Sequence, residues 1–214
     1  MEPLTGEGVA ARLEAHQLAV GLEAATALAR FLDRLEHWNR VHNLTGLRDR
    51  NELIDRHLVE SLALERFVAG ARACDIGSGA GLPGIPLAVV LPDVVFTLIE
   101  SRRKRASFLR HVKGALGLDN VEVVHARAET VTTGPFDTVL ARAVAPPGEI
   151  LDLAEPLVAP TGRLVLLTSE DKAREILSRA RGFRALPIES VTPGLRSRVV
   201  VLERASVSES SDLE

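Results

Sequence analysis

Apolar residues recur at three- and four-residue steps from Leu22 to His42, where Leu28, Phe31, Leu32, Leu35, Trp38 and Val41 predict one amphipathic helix packed along that stripe. Asn43-Leu-Thr-Gly46 breaks the period, and Leu53, Ile54, His57, Leu58 and Leu62 mark another helix. No β-type alternation occurs here, so residues 1–65 are expected to form a small N-terminal helical region. After about Val68 the pattern changes to short apolar runs alternating with helical segments, the signature of a parallel sheet with crossover helices. The predicted strands are 72–76, 94–100, 121–125, 136–141, 162–167, 183–191 and 198–203. They make residues 66–204 one doubly wound α/β domain with a seven-stranded, mostly parallel sheet. Pro193-Gly194 predicts a hairpin between the last two strands, hence an antiparallel edge. Residues 205–214 are rich in serine and acid, bury little, and are expected to be disordered.

Between the first strand and the following helix runs Asp75-Ile-Gly-Ser-Gly-Ala-Gly-Leu-Pro-Gly84. Gly77, Gly79, Gly81 and Gly84 allow main chain and ligand to approach closely, because no Cβ intervenes and left-handed dihedrals are open. Gly79-Ala-Gly81-Leu-Pro-Gly84 also fits the fingerprint of nicotinamide and flavin enzymes. Asp75 weighs against a pyrophosphate, which needs positive potential and free amide donors. S-adenosylmethionine (SAM), with its ammonium, carboxylate and sulfonium, suits an acid beside free N–H groups. Glu100 ends the second strand about 20 residues beyond the glycines, placed to take both ribose hydroxyls. The favoured reading is therefore a SAM site; a nicotinamide-dependent oxidoreductase and a non-catalytic module that retains a cofactor fold are the alternatives.

The chain has 214 residues, enough for one α/β domain with a smaller appendage. No apolar stretch reaches the 18 or more residues of a membrane span, and Met1-Glu-Pro-Leu-Thr5 lacks the features of a signal peptide. A cytoplasmic monomer is expected. The single cysteine, Cys74, lies within the first strand and reads as a small core residue. His16, His37, His42, His57, His111 and His125 show no metal-binding spacing, so no metal is expected. Net charge is −3, yet Arg102, Arg103, Lys104, Arg105, Arg110 and Lys113 fall between Ser101 and Leu118 with no acid among them. A local basic face of that kind can hold phosphates on an acidic protein.

Open sheets bind ligands at the carboxyl ends of their strands. Ala128-Glu129 follows the third strand, where Glu129 could accept from an adenine amino group, and Arg142 follows the fourth, where it could meet cofactor or phosphate. Trp38-Asn-Arg-Val-His-Asn43-Leu-Thr45, His57-Leu-Val-Glu60-Ser61-Leu62, the run Asp75 to Pro86, Glu100, Lys104, Arg105 and Phe108-Leu109 together resemble the RsmG (GidB) methyltransferases of bacterial 16S ribosomal RNA. That resemblance implies a Rossmann-like class I SAM-dependent fold and methyl transfer to N7 of a guanine, the family's position 527, in 16S rRNA or the small ribosomal subunit. It implies cofactor contacts from Gly77, Leu82, Ala128, Glu129 and Arg142, beside Asp75, Gly79, Gly81 and Glu100. Many relatives carry Lys-Gly where this chain has Thr168-Ser169, which leaves a lysine contact from that strand in doubt. Guanine N7 presents an unprotonated lone pair, so no general base is needed and positioning is most of the catalysis. RNA contacts are expected from Arg102, Arg103, Lys104, Arg105, Arg142, Arg196 and Arg198. Trp38, on the apolar stripe, is expected in the core.

Overall fold

The computed structural model describes residues 3–46, 49–142, 145–191 and 195–205. Thr5 opens helix α1 (Gly6–Ala15) by accepting the Gly8 N–H at 3.1 Å. Helix α2 (Leu22–His42) has the predicted span and stops where Asn43 turns left-handed at φ 48°. Its stripe buries Leu28, Phe31, Leu32 and Leu35, but Val41 is 72% exposed. At 100° per residue, Trp38 and Val41 stand about 80° and about 140° from Leu28, so the stripe loses them at its edge. The second predicted helix runs from α3 (Arg50–Glu52) through a π-helical turn (Leu53–Leu58) into α4 (Val59–Leu62). Such widened turns often mark functional sites.

The alternating half contains β1 (Arg72–Ile76), α5 (Gly84–Val90), β2 (Val95–Ile99), α6 (Arg103–Leu116), β3 (Val121–Val124) and β4 (Phe136–Arg142), followed by α7 (Pro147–Ala154), β5 (Val158–Ser169) and α8 (Glu170–Arg179). Three strands close it: β6 (Phe183–Ala185), β7 (Glu189–Ser190) and β8 (Ser197–Arg204). The sheet order is β3-β2-β1-β4-β5-β8-β6, with β7 also paired to β8. The first five strands are parallel, and β8 is antiparallel to β5, β6 and β7. Two details differ from expectation. The sheet has eight strands because the segment 183–191 divides at Pro187, which has no N–H to continue the ladder beyond Leu186. The final strand also lies inside the sheet, between β5 and β6, rather than at its rim.

Two apolar layers flank the sheet. One joins Leu13, Leu28 and Phe31 of the N-terminal helices to Ile85, Phe96, Phe108, Leu140 and Val165, so a single core crosses residue 65. The other packs Ile150, Ala154 and Ile176 on Cys74, Ile76, Val139, Leu164 and Val200. Cys74 is fully buried, as its place in the strand suggested. No helix among the described residues is long and apolar enough to cross a membrane. The expected hairpin turn at Pro193-Gly194 and the expected disordered tail, apart from Ala205, lie outside the described residues.

Candidate active site

Strand order reverses between β1 and β4, and the carboxyl ends of β1, β2 and β4 open around that point. Leaving β1, the chain turns through Gly77, Gly79 and Gly81, all left-handed at φ 65°, 54° and 82°. Glu100, 3% exposed, fastens this loop: its Oε2 accepts the Gly79 N–H at 3.0 Å and its Oε1 accepts the Arg102 N–H at 2.7 Å. One carboxylate thus joins the glycine loop to the start of α6. Above it lies a cavity of about 430 Å³, lined by Gly77, Gly79, Leu82, Glu100 and Arg142 together with Leu44, Thr45 and His57. Arg102 and Arg105 complete its wall.

Asp75 does not face this cavity. It lies beneath the loop, 1% exposed, where Oδ2 accepts the Gly84 N–H at 3.1 Å and Oδ1 has no partner. Burial pushes its pKa up to about 7, partly offset by the Gly84 bond. The expected ligand-facing carboxylate is therefore a buried support for the start of α5, and the acid that lines the cavity is Glu100. A Cβ on Gly84 would collide with Leu98 and with Asp75 Oδ2, which explains the glycine there.

Arg142, at the end of β4, forms the opposite wall. Its Nη2 donates to Glu60 Oε2 at 2.5 Å and to His57 Nδ1 at 2.6 Å. Glu60 is 2% exposed and its other oxygen accepts from Ser197 Oγ at 2.5 Å. Since Nδ1 accepts from arginine, His57 carries its proton on Nε2 and donates it to Thr45 Oγ1 at 2.9 Å. Burial, then the charges of Arg142 and Arg56, lower the His57 pKa to about 3. A chain of contacts thus runs Thr45, His57, Arg142, Glu60, Ser197, and Arg142 Nη1 is left buried without a partner. Beyond Arg142 lies a second cavity of about 320 Å³, with Ala141, Pro147, Ile150, Leu166 and Ile176 at its base and Arg56, Glu60, Lys172, Arg196 and Ser197 around it.

The family model for rRNA small subunit methyltransferase G (GidB) matches residues 24–195. The chain belongs to this family. It is 43% identical over 165 residues to ribosomal RNA small subunit methyltransferase G of Halorhodospira halophila, covering 77% of this chain and 79% of that one. It is 40% identical over 188 residues to the Stenotrophomonas maltophilia protein of the same name, covering 86% and 87%. In fold it is similar to a SAM dependent methyltransferase from Aquifex aeolicus (TM-score 0.61, 15% identity, 81% of this chain and 98% of that chain). A precorrin-6y C5,15-methyltransferase from Geobacter metallireducens also matches (TM-score 0.54, 16% identity, 69% and 87%). The fold is a class I methyltransferase fold.

Against the GidB pattern, Gly77, Gly79, Leu82, Glu100 and Arg142 come together in one cavity, and Gly81 sits just behind it. Ala128 and Glu129 form a turn (Ala128–Thr130) beyond β3 that does not line the cavity; Glu129 is exposed. That turn flanks the rim, where His125 Nε2 lies 3.1 Å from Ser101 O. Arg102 and Arg105 reach the first cavity and Arg196 the second, while Arg103 and Lys104 are exposed on α6. Arg198 is not free for RNA: its Nε donates to Glu170 Oε2 at 2.5 Å, holding that carboxyl below its usual range. Thr168 and Ser169 line the second cavity, and the lysine there is Lys172, on the first turn of α8. The roles of Glu60, Thr45 and Ser197 escaped the sequence reading. His57 and Glu60 share one helical face three residues apart, the one signal available.

Proposed function

We propose that this chain transfers a methyl group from SAM to N7 of a guanine in bacterial 16S rRNA, with the cavity above the glycine loop holding the cofactor and the one beyond Arg142 holding the acceptor base. The donor set suits the cofactor. Glu100 is the acid for ribose hydroxyls, the three left-handed glycines leave space without side chains, and the orphaned Arg142 Nη1 offers a buried donor to a carboxylate. When bound, SAM supplies a sulfonium methyl that the guanine N7 lone pair can take without prior deprotonation.

The side chains accordingly bind and orient. His57, the imidazole at the wall, has both nitrogens engaged, so it is a spacer for Arg142 and not a proton carrier. The second cavity combines an apolar base, suited to a nucleobase, with four cations against Glu60, suited to phosphate. The observation that carries the reading is the shared position of Arg142 between the two chambers. We place the enzyme in the cytoplasm as a monomer, acting on the rRNA of the small subunit. Incubation with labelled SAM and small subunits from cells lacking the enzyme, followed by nucleotide mapping, tests this; label appearing on protein or small molecules instead overturns it.

A further inference from the structure

Helices α2 and α6 lie side by side in opposite directions. Trp38 meets Phe108 near the middle of α6, and Arg30, earlier on α2, donates from Nη2 to Ala115 O at 2.8 Å near its end. Both helices end at the cofactor cavity: Leu44 and Thr45 beyond α2 and Arg102 and Arg105 at the start of α6 line its wall. The seam between them leads away from that wall over His42, Trp38 and His111.

The surface of this seam has an unusual composition. Trp38 packs one side on buried Phe108 at 5.5 Å and is flanked by His42 at 5.3 Å and His111 at 5.5 Å between ring centroids. His111 is exposed, and Val41, one turn from Trp38, is the most exposed large apolar side chain among the described residues. On α6, Lys104 and Arg103 stand about 20° and about 80° from His111 around the helix; they, like Arg110 and Lys113 further round it, make no ion pair among the described residues, whereas arginines elsewhere, such as Arg12, Arg66 and Arg184, are ion-paired. Rings beside uncompensated cations on the same helix are what a single nucleic-acid strand requires, since bases stack on the rings and phosphates seek the charge.

We infer that the α2–α6 seam is a base-stacking track for single-stranded RNA adjoining the target guanine, with Trp38, His42 and His111 receiving a base and the α6 cations holding its phosphates. This rests on the rRNA reading above and adds a surface to it. Trp38 thereby gains a role besides the packing expected of it.

Trp38 is the only tryptophan and the chain has no tyrosine, so its emission reports this seam alone. The probes are a dye-labelled single-stranded RNA of the sequence around the target guanine, a set of the same RNAs each lacking one base, and inorganic polyphosphate. Intact RNA is expected to quench Trp38 while anisotropy reports binding. One abasic member should bind roughly 5- to 150-fold more weakly and not quench. Polyphosphate should compete without quenching. His111→Ala, an exposed change that spares the core, should weaken RNA binding and leave SAM affinity intact. Bound RNA with unchanged emission, or wild-type RNA affinity in His111→Ala, overturns the track. If small subunits still accept label from SAM in that event, the rRNA reading stands and only the track fails; no RNA binding and no labelling would remove both.

Discussion

Glu60 anchors a guanidinium that β4 delivers into the interior, and its removal strands that charge. Among the described residues Arg142 has no second carboxylate within ion-pair distance, and its Nη1 already lacks a partner. Glu60→Ala should therefore cost about 3–5 kcal/mol, the usual penalty for breaking a buried pair, as read by chemical denaturation. Asp75 makes a different prediction. Its folded pKa, about 7, is raised above the unfolded carboxylate value, so the folded state binds the extra proton between pH of about 4 and about 7. Its contribution is fully present below about pH 4 and is lost as pH rises through about 7. In Asp75→Asn that loss should disappear from the stability profile, measured by denaturation across this range; an unaltered profile would refute the buried-acid assignment. Glu100 was legible because it ends an apolar run at a set distance from the glycines. The orientation of Asp75 was not: strand position gives the residue, but the face it turns to depends on neighbours β2 and β4. Glu60 meets Arg142 and Ser197 across 82 and 137 residues of chain, a distance no local pattern carries.

Helix α6 carries five cations, Arg102 before it makes six, and no acid falls among them; the helix opens on the Glu100 carboxylate, which accepts from the Arg102 amide. Arg105 reaches the cofactor wall, so charge reversal there mixes two effects. Arg103→Glu with Arg110→Glu avoids this: each should lower the salt slope of RNA binding by about one unit, while SAM affinity measured by calorimetry stays at the wild-type value. Loss of both affinities together would point to unfolding. Helix α2 and the parallel strands were readable because their periods are long and uninterrupted. Strand β5 begins four residues before its predicted start, since Pro160 and Gly162 mask a segment that pairs Val158 with Phe136 across a register shift. The split of the sixth strand has a similar cause in Pro187.

In the whole molecule, both apolar layers exist to bring three strand ends to one point. Saturating S-adenosylhomocysteine should raise the melting temperature, by an amount corresponding to about 2.7 kcal/mol at a hundredfold excess over Kd, and NAD should not. The reverse result would restore the nicotinamide reading. Fold class was legible from the switch in hydrophobic period near residue 68, and the place of the first cavity from the glycine loop. The second cavity was not, because its walls come from the π-helical turn, α7, α8 and β8, which meet only once the sheet has assembled.

One guanidinium, that of Arg142, stands as the partition between those cavities, and its Nη1 is buried without a partner among the described residues. On the proposed reading, a guest that claims that nitrogen alters the wall the other guest leans on. If both guests bind as proposed, thermodynamic reciprocity sets the expectation: should RNA tighten the grip on spent cofactor by some factor, spent cofactor tightens the grip on RNA by the same factor.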